Sequence, residues 1–199
     1  EERYGHKIYI VQDVAHSYGA KWNGELVTRS GDAAIFGMNV SKIMTSVFGG
    51  MAISNSEETV TNVRAYRDEH FNKMGLSKSL HRLIYLMAIK FAFNSWVYGF
   101  TNWLERKGIL DRFVKYYDES IITFPSDWDQ LPCELEARVG LVQLKKYDGI
   151  IAKRQEASAR YIEAMESNPD IQLFPHIEGS TYSHFVGMVD DREAWLEHY

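Results

Sequence analysis

The chain has 199 residues, with 22 Lys and Arg against 27 Asp and Glu, so its formal net charge is −5. Apolar residues make up 45%, charged residues 25% and aromatics 14%, which excludes collagen-like, low-complexity and wholly disordered chains and leaves room for one or two domains. No broad basic field exists to hold a phosphate backbone, so no nucleic-acid partner is expected; the single cysteine, Cys133, excludes an internal disulfide framework and a multi-cysteine zinc site and fits a reducing, cytoplasmic setting.

The first 55 residues read as short strands between turns. Ile8–Val11 is a compact apolar run of the kind found in buried parallel strands, and Asp13 follows where such a strand would end. Ala33–Phe36 and Met51–Ile53 are two more candidates, punctuated by Gly31, Gly49 and Gly50. Residues 57–72 read as a helix that Asn55 or Ser56 can cap, with Glu57 and Glu58 suited to its dipole.

Residues 77–119 form a helical insertion rich in aromatics, among them Trp96, Phe100 and Trp103. A membrane span needs roughly 20 uninterrupted apolar residues, and Arg82, Lys90, Asn94 and Asn102 break this stretch, so no span is expected. Two readings stand open: a pair of buried or dimer-facing helices, or a helical cover over a substrate cleft or membrane surface.

Phe124–Asp127 reads as a turn, and Pro132 suits the first turn of a long helix running to about Glu166. Leu135, Val139, Val142 and Lys146 mark one side of that helix; Lys145, Lys146, Lys153, Arg154 and Arg160 mark a wet side. Asn168-Pro169 stops it, Ile171–Phe174 and Ser183–Val189 read as strands, and Asp190–Glu193 opens a final helix. Strands alternating with helices predict an α/β or α+β architecture. The two portions are 1–125, carrying the insertion, and 126–199.

Taken singly, Asp13, His16 and Lys42 have ordinary explanations as a turn former, a structural histidine and a solvated lysine. His6, His70, His81 and His176 are scattered without metal-ligand spacing, so no metal is expected. Ser183-His184 reads as part of a strand facing the core, with substrate contact the lesser alternative.

Three blocks in order change the picture. Val11-Gln12-Asp13-Val14-Ala15-His16-Ser17-Tyr18-Gly19-Ala20, the stretch Ser30–Met51 with its Gly31-Asp32, Lys42 and Gly49-Gly50, and Glu134–Leu144 resemble signatures of the sugar aminotransferases named after DegT, DnrJ, EryC1 and StrS. The resemblance implies an α/β fold of the aspartate-aminotransferase type (fold type I of pyridoxal-phosphate enzymes), with a mostly parallel sheet, flanking helices and a partial smaller α+β domain. Family members are roughly twice as long, so residues 1–125 match the second half of a large cofactor-binding domain, and 126–199 a bridging helix with part of a small domain.

The implied cofactor is pyridoxal 5′-phosphate, with Lys42 as its catalytic attachment point. Asp13 matches the carboxylate that keeps the pyridine nitrogen protonated, and His16 the residue near the phenolic oxygen. The family serine five residues before the lysine is Gly37 here, which leaves its N–H, Asn39 and Ser41 as phosphate contacts. Asp127-Trp128-Asp129-Gln130 stands where the family has an Asn-Tyr-Arg stretch that reaches a neighbouring subunit. The implied partners are a nucleotide-linked sugar, an amino-acid donor and a second copy of the chain. A pyridoxal-phosphate sugar dehydratase, whose family branch carries histidine at the lysine position, and a non-enzymatic scaffold or regulatory module are the competing readings.

Overall fold

The computed structural model describes residues 5–108, 124 and 127–198; the end of the expected insertion, 109–119, lies outside them. Their contacts fall into two compact units, Glu1–Val60 with Val139–Tyr199, and Thr61–Arg138.

The first unit is built on a three-stranded sheet of β1 (Val11–Asp13), β4 (Ala33–Asn39) and β5 (Phe48–Ser54), with β4 central. β1 runs parallel to β4, with Asp13 opposite Ile35. β5 runs antiparallel to β4, with Gly37 opposite Gly50. The expectation of a mostly parallel sheet is therefore corrected to a mixed one. The reason is connection length: the eight residues 40–47 suffice for a tight return, whereas a parallel crossover takes about a dozen or more.

Side chains alternate along β4. Ala34, Phe36 and Met38 are buried with Val14, Ile43, Met44 and Tyr147, while Ile35 and Gly37 face out. The apolar run Ile8–Val11 is exposed, not buried as expected, and only its last residue joins the ladder. It is held as an edge: the Asp32 carboxylate accepts the Ile10 N–H at 2.9 Å and pairs with Lys7, and these contacts keep its pKa below the usual range. Gly31 is needed there, since a Cβ would stand 2.9 Å from the Ile10 carbonyl.

Between β1 and β4 lies a hairpin of β2 (Lys21–Trp22) and β3 (Glu25–Leu26). Its turn, Asn23-Gly24, has φ of 51° and 82°, the pair of left-handed residues that a two-residue hairpin demands.

α1 (Glu57–His70) starts where expected, with the Ser56 hydroxyl oxygen accepting the Thr59 N–H at 3.2 Å. β6 (Asn72–Lys73), α2 (Leu76–Ala92), α3 (Tyr98–Arg106) and β7 (Gln130–Leu131) follow in the second unit, with β6 and β7 parallel. α4 (Glu134–Met165) is the long expected helix, with Pro132 just outside its first turn. Its inward stripe matches the expected one only in part. Leu135 and Val139 are half-buried, but Val142 and Lys146 are exposed; Gly140, Tyr147 and Ser158 are buried, Ile150 and Ile151 pack on the core and Arg154 is half-buried. Hydropathy located the stripe only roughly because it includes small and polar residues. β8 (Gln172–Leu173), β9 (Gly187–Met188) and α5 (Arg192–His198) complete the chain; Ser183–Val186 is irregular, not strand.

Two polar clusters hold these elements. In the first unit the Tyr147 hydroxyl donates to the Tyr18 carbonyl, and the two rings meet edge-to-face at 4.9 Å. Burial, with the Tyr18 ring beside it, pushes the Tyr147 hydroxyl up to about 12. In the second unit, Glu136 is almost wholly buried. It accepts the Cys133 N–H at 2.9 Å, one arm of a capping box, and its other oxygen lies 3.3 Å from Arg82 Nε. Asp127 pairs with Lys78 and, at 3.7 Å, with Arg82, while Asp129 accepts the Asn72 amide at 2.9 Å. The 127–130 stretch, divergent in sequence, thus serves this unit's own ion pairs.

Removing one side of the buried pair leaves a bare charge. Arg82→Met is expected to cost about 3–5 kcal/mol in urea unfolding, and Arg82→Met with Glu136→Leu distinctly less than the sum of the two single changes. Tyr147 predicts a pH effect. Between pH 10 and 12 the unfolded tyrosine has lost a proton that the folded one keeps, so its contribution to stability is complete below pH 10 and declines as pH rises towards 12. The urea-midpoint advantage of the native protein over Tyr147→Phe should shrink across that window.

Candidate active site

Two short turns at the carboxyl ends of neighbouring parallel strands build the site. β1 ends at Asp13, whose Oδ1 accepts the Ala15 N–H at 3.0 Å; Ser17 N–H then reaches the Val14 carbonyl at 2.9 Å. This tight reversal presents His16. β4 ends at Asn39, whose Oδ1 accepts both the N–H (3.0 Å) and the hydroxyl (2.7 Å) of Ser41, while Lys42 N–H reaches the Asn39 carbonyl at 3.0 Å. Ile43 and Met44 are buried immediately afterwards and anchor the turn. The two reversals bring Lys42 Nζ to 2.6 Å from His16 Nε2. Carboxyl ends of parallel strands are where open α/β sheets gather ligands.

The loop after Lys42 is strained. Val47, buried and β-branched, has φ of 74°, a conformation that such residues rarely adopt. It is held by the Thr45 hydroxyl oxygen, which accepts the Val47 N–H at 3.0 Å, and by Ser46 N–H to the Met38 carbonyl at 2.8 Å.

A third segment closes on His16 from far along the chain. Ser183 Oγ lies 3.0 Å from His16 Nδ1, and the His184 ring is centred 5.1 Å from that of His16. Arg154 on α4 donates to the carbonyls of Tyr182 (3.0 Å) and Ser183 (3.2 Å). These bonds draw the two carbonyls out of any strand ladder, and Tyr182 has φ of 45°. Ser183 therefore belongs beside the site, and Arg154 is not on the wet side of its helix. Position 154 reads as one more surface cation in sequence; only its half-buried setting shows otherwise.

Proton placement follows from donor chemistry. A lysine ammonium has no lone pair, so at 2.6 Å it donates and His16 Nε2 accepts. The ring proton then sits on Nδ1 and points at Ser183 Oγ. The His16 pKa lies below its ordinary value, first through desolvation and then through the charges of Lys42 and His184; the Asp13 carboxylate opposes this.

Asp13, His16 and Lys42, proposed from the sequence, come together, and Ser183 and His184 join them. Gly37 lies mid-strand on the outward face shared by Ile35 and, through the register, Asp13. Asn39 spends Oδ1 on the turn, so its Nδ2 amide is what it can offer an anion. A concavity of about 580 Å³ between the β2–β3 hairpin and residues 176–179 is lined by none of these groups. Among the described residues no cluster of three or more metal-ligating side chains occurs.

Solved structures share this fold. The chain superposes on sugar aminotransferase CalS13 from Micromonospora echinospora with a TM-score of 0.63 at 14% identity, over 98% of this chain and 42% of that one. It superposes on the E. coli GDP-4-keto-6-deoxy-D-mannose-3-dehydratase, solved with bound hydrated pyridoxal phosphate, with a TM-score of 0.60 at 14% identity, over 94% and 41%. In sequence it is 24% identical over 192 residues to the spore coat polysaccharide biosynthesis protein SpsC of Bacillus subtilis, which covers 95% of this chain and 40% of SpsC. Residues 3–95, which contain Asp13, His16 and Lys42, match the model of the DegT/DnrJ/EryC1/StrS aminotransferase family. The chain spans about two-fifths of the length of these relatives.

Nitrogen NMR should report His16 as the Nδ1–H tautomer with a pKa below 6.5. Lys42→Met should raise that pKa by removing a neighbouring positive charge, and Ser183→Ala should yield a mixed tautomer that Ser183→Thr restores.

Proposed function

We propose that this chain carries part of the active site of a pyridoxal-phosphate aminotransferase. In this reading the enzyme moves an amino group, from an amino acid such as glutamate, onto a keto carbon of a nucleotide-linked sugar, and works as a homodimer. The observation that carries the reading is the 2.6 Å contact between Lys42 and His16 at the end of the strand that Asp13 terminates. The donor set suits the group: an amine able to react with an aldehyde, a carboxylate for a pyridinium nitrogen and an imidazole for the oxygen between them.

When bound, the cofactor supplies an electrophilic aldehyde and a sink for electrons. The chain's own work is proton management. Lys42 must lose its proton to become a nucleophile, and His16 Nε2 is placed to take it. Ser183 accepts from Nδ1 and so keeps the Nε2 lone pair aimed at the amine. Asp13 fixes a negative charge at the strand end, where a ring proton needs it. Gly37 and the Asn39 amide are the candidate phosphate contacts. The match of residues 3–95 to the family model and the fold shared with a sugar aminotransferase support this assignment.

A dehydratase reading draws on the shared fold of the E. coli enzyme. It is tested by product: a deoxysugar with ammonia released, and no amino sugar.

Borohydride treatment of the full-length protein loaded with pyridoxal phosphate should fix the cofactor on the peptide containing Lys42. Lys42→Ala should abolish that labelling, and label on another lysine would refute the assignment. Asp13→Asn should retain binding yet lower turnover by roughly 10²-fold or more.

A further inference from the structure

The second unit turns its helix inside out. At about 100° per residue, Lys78, Arg82, Tyr85 and Ile89 share one side of α2. Lys78 and Arg82 meet Asp127 and Glu136 there. Leu76, Leu80, Ile84, Met87 and Phe91 lie on the opposite side, and every one of them is exposed, Leu76 at 90%. The apolar surface continues beyond the helix. Trp96, between α2 and α3, is 94% exposed, and Phe100 and Trp103 on α3 stack at 5.9 Å with both rings exposed.

Charge identifies what this face fits. Residues 76–108 hold five cations, Lys78, Arg82, Lys90, Arg106 and Lys107, against one acid, Glu105. Asp127 and Glu136 match Lys78 and Arg82, so the exposed face keeps three cations against one acid, a net +2 on a chain of −5. Lys78 and Arg82 point inward, whereas Lys90, Arg106 and Lys107 are exposed beside the aromatics. A second copy docked by two-fold symmetry would set this patch against itself, three cations facing three cations with only Glu105 to offset them. A negatively charged surface has no such penalty. A bilayer interface also accepts Trp and Phe at headgroup depth and takes Lys and Arg as phosphate partners. Among the described residues no helix is long and apolar enough to cross a membrane, so the fit is to its surface.

We infer that the α2–α3 face is an interfacial anchor for an anionic lipid bilayer, with the Leu76–Phe91 stripe and Trp96 entering the headgroup boundary and Lys90, Arg106 and Lys107 facing lipid phosphates. The inference stands on this unit alone and does not depend on the reaction proposed above.

Sedimentation of the full-length protein with vesicles tests it. Binding is expected to phosphatidylcholine vesicles doped with phosphatidylglycerol, with a blue shift of tryptophan emission, and to weaken as salt is raised. Replacing Lys90, Arg106 and Lys107 together by Ala should lower partitioning by roughly 10²-fold, about fivefold for each cation. Trp96→Ser with Trp103→Ser should abolish the blue shift. Failure of the unaltered protein to bind anionic vesicles would overturn the inference. So would binding that ignores salt and the three cations, or a tryptophan pair whose loss changes only the oligomeric state.

Discussion

Lys42 Nζ and His16 Nε2 stand 2.6 Å apart, a distance that requires one proton between two nitrogens and one lone pair to receive it. That requirement orders the site around it. With the lysine as donor, Nε2 accepts and the ring proton sits on Nδ1. There Ser183 waits, held by carbonyls that Arg154 grips from the long helix. Remove the strand-end turns at Asp13 and Asn39 and the two nitrogens no longer meet. The sheet, the turns and α4 serve the site chiefly by fixing this one contact.

The arrangement shows how a small number of structural devices create a chemically unusual pair. Two parallel strands end side by side, and each is closed by a side chain folding back on its own backbone. The core beneath, Phe36, Met38, Ile43 and Met44, leaves the turns little freedom. The buried, left-handed Val47 stores strain just after the lysine, which fits a loop selected for position more than for relaxed backbone geometry.

Much of this was legible in the residues, and the parts that were not have definite causes. Asp13, His16 and Lys42 could be found because they sit in ordered local motifs. The mixed sheet and the Asn23-Gly24 hairpin were missed although both leave a local signal: residues 40–47 are too few for a crossover, and Asn-Gly favours a two-residue turn that hydrophobic pattern alone passes over. The exposed Ile8–Val11 run shows the limit of hydropathy: it reports what a strand could cover, not what covers it. Ser183 was read first as a core-facing strand residue, because its contact with His16 spans 167 residues and the segment is held by a half-buried Arg154 that resembles a surface cation. The inside-out character of α2 was hidden because periodicity finds an apolar stripe without saying which way it faces.

An experimental structure of the full-length protein with pyridoxal phosphate tests the central claim most directly. The account predicts density continuous from the cofactor to Lys42 Nζ, with the Asp13 carboxylate at hydrogen-bonding distance from the ring nitrogen. Density joined to a different lysine, or a ring nitrogen facing away from Asp13, would contradict it.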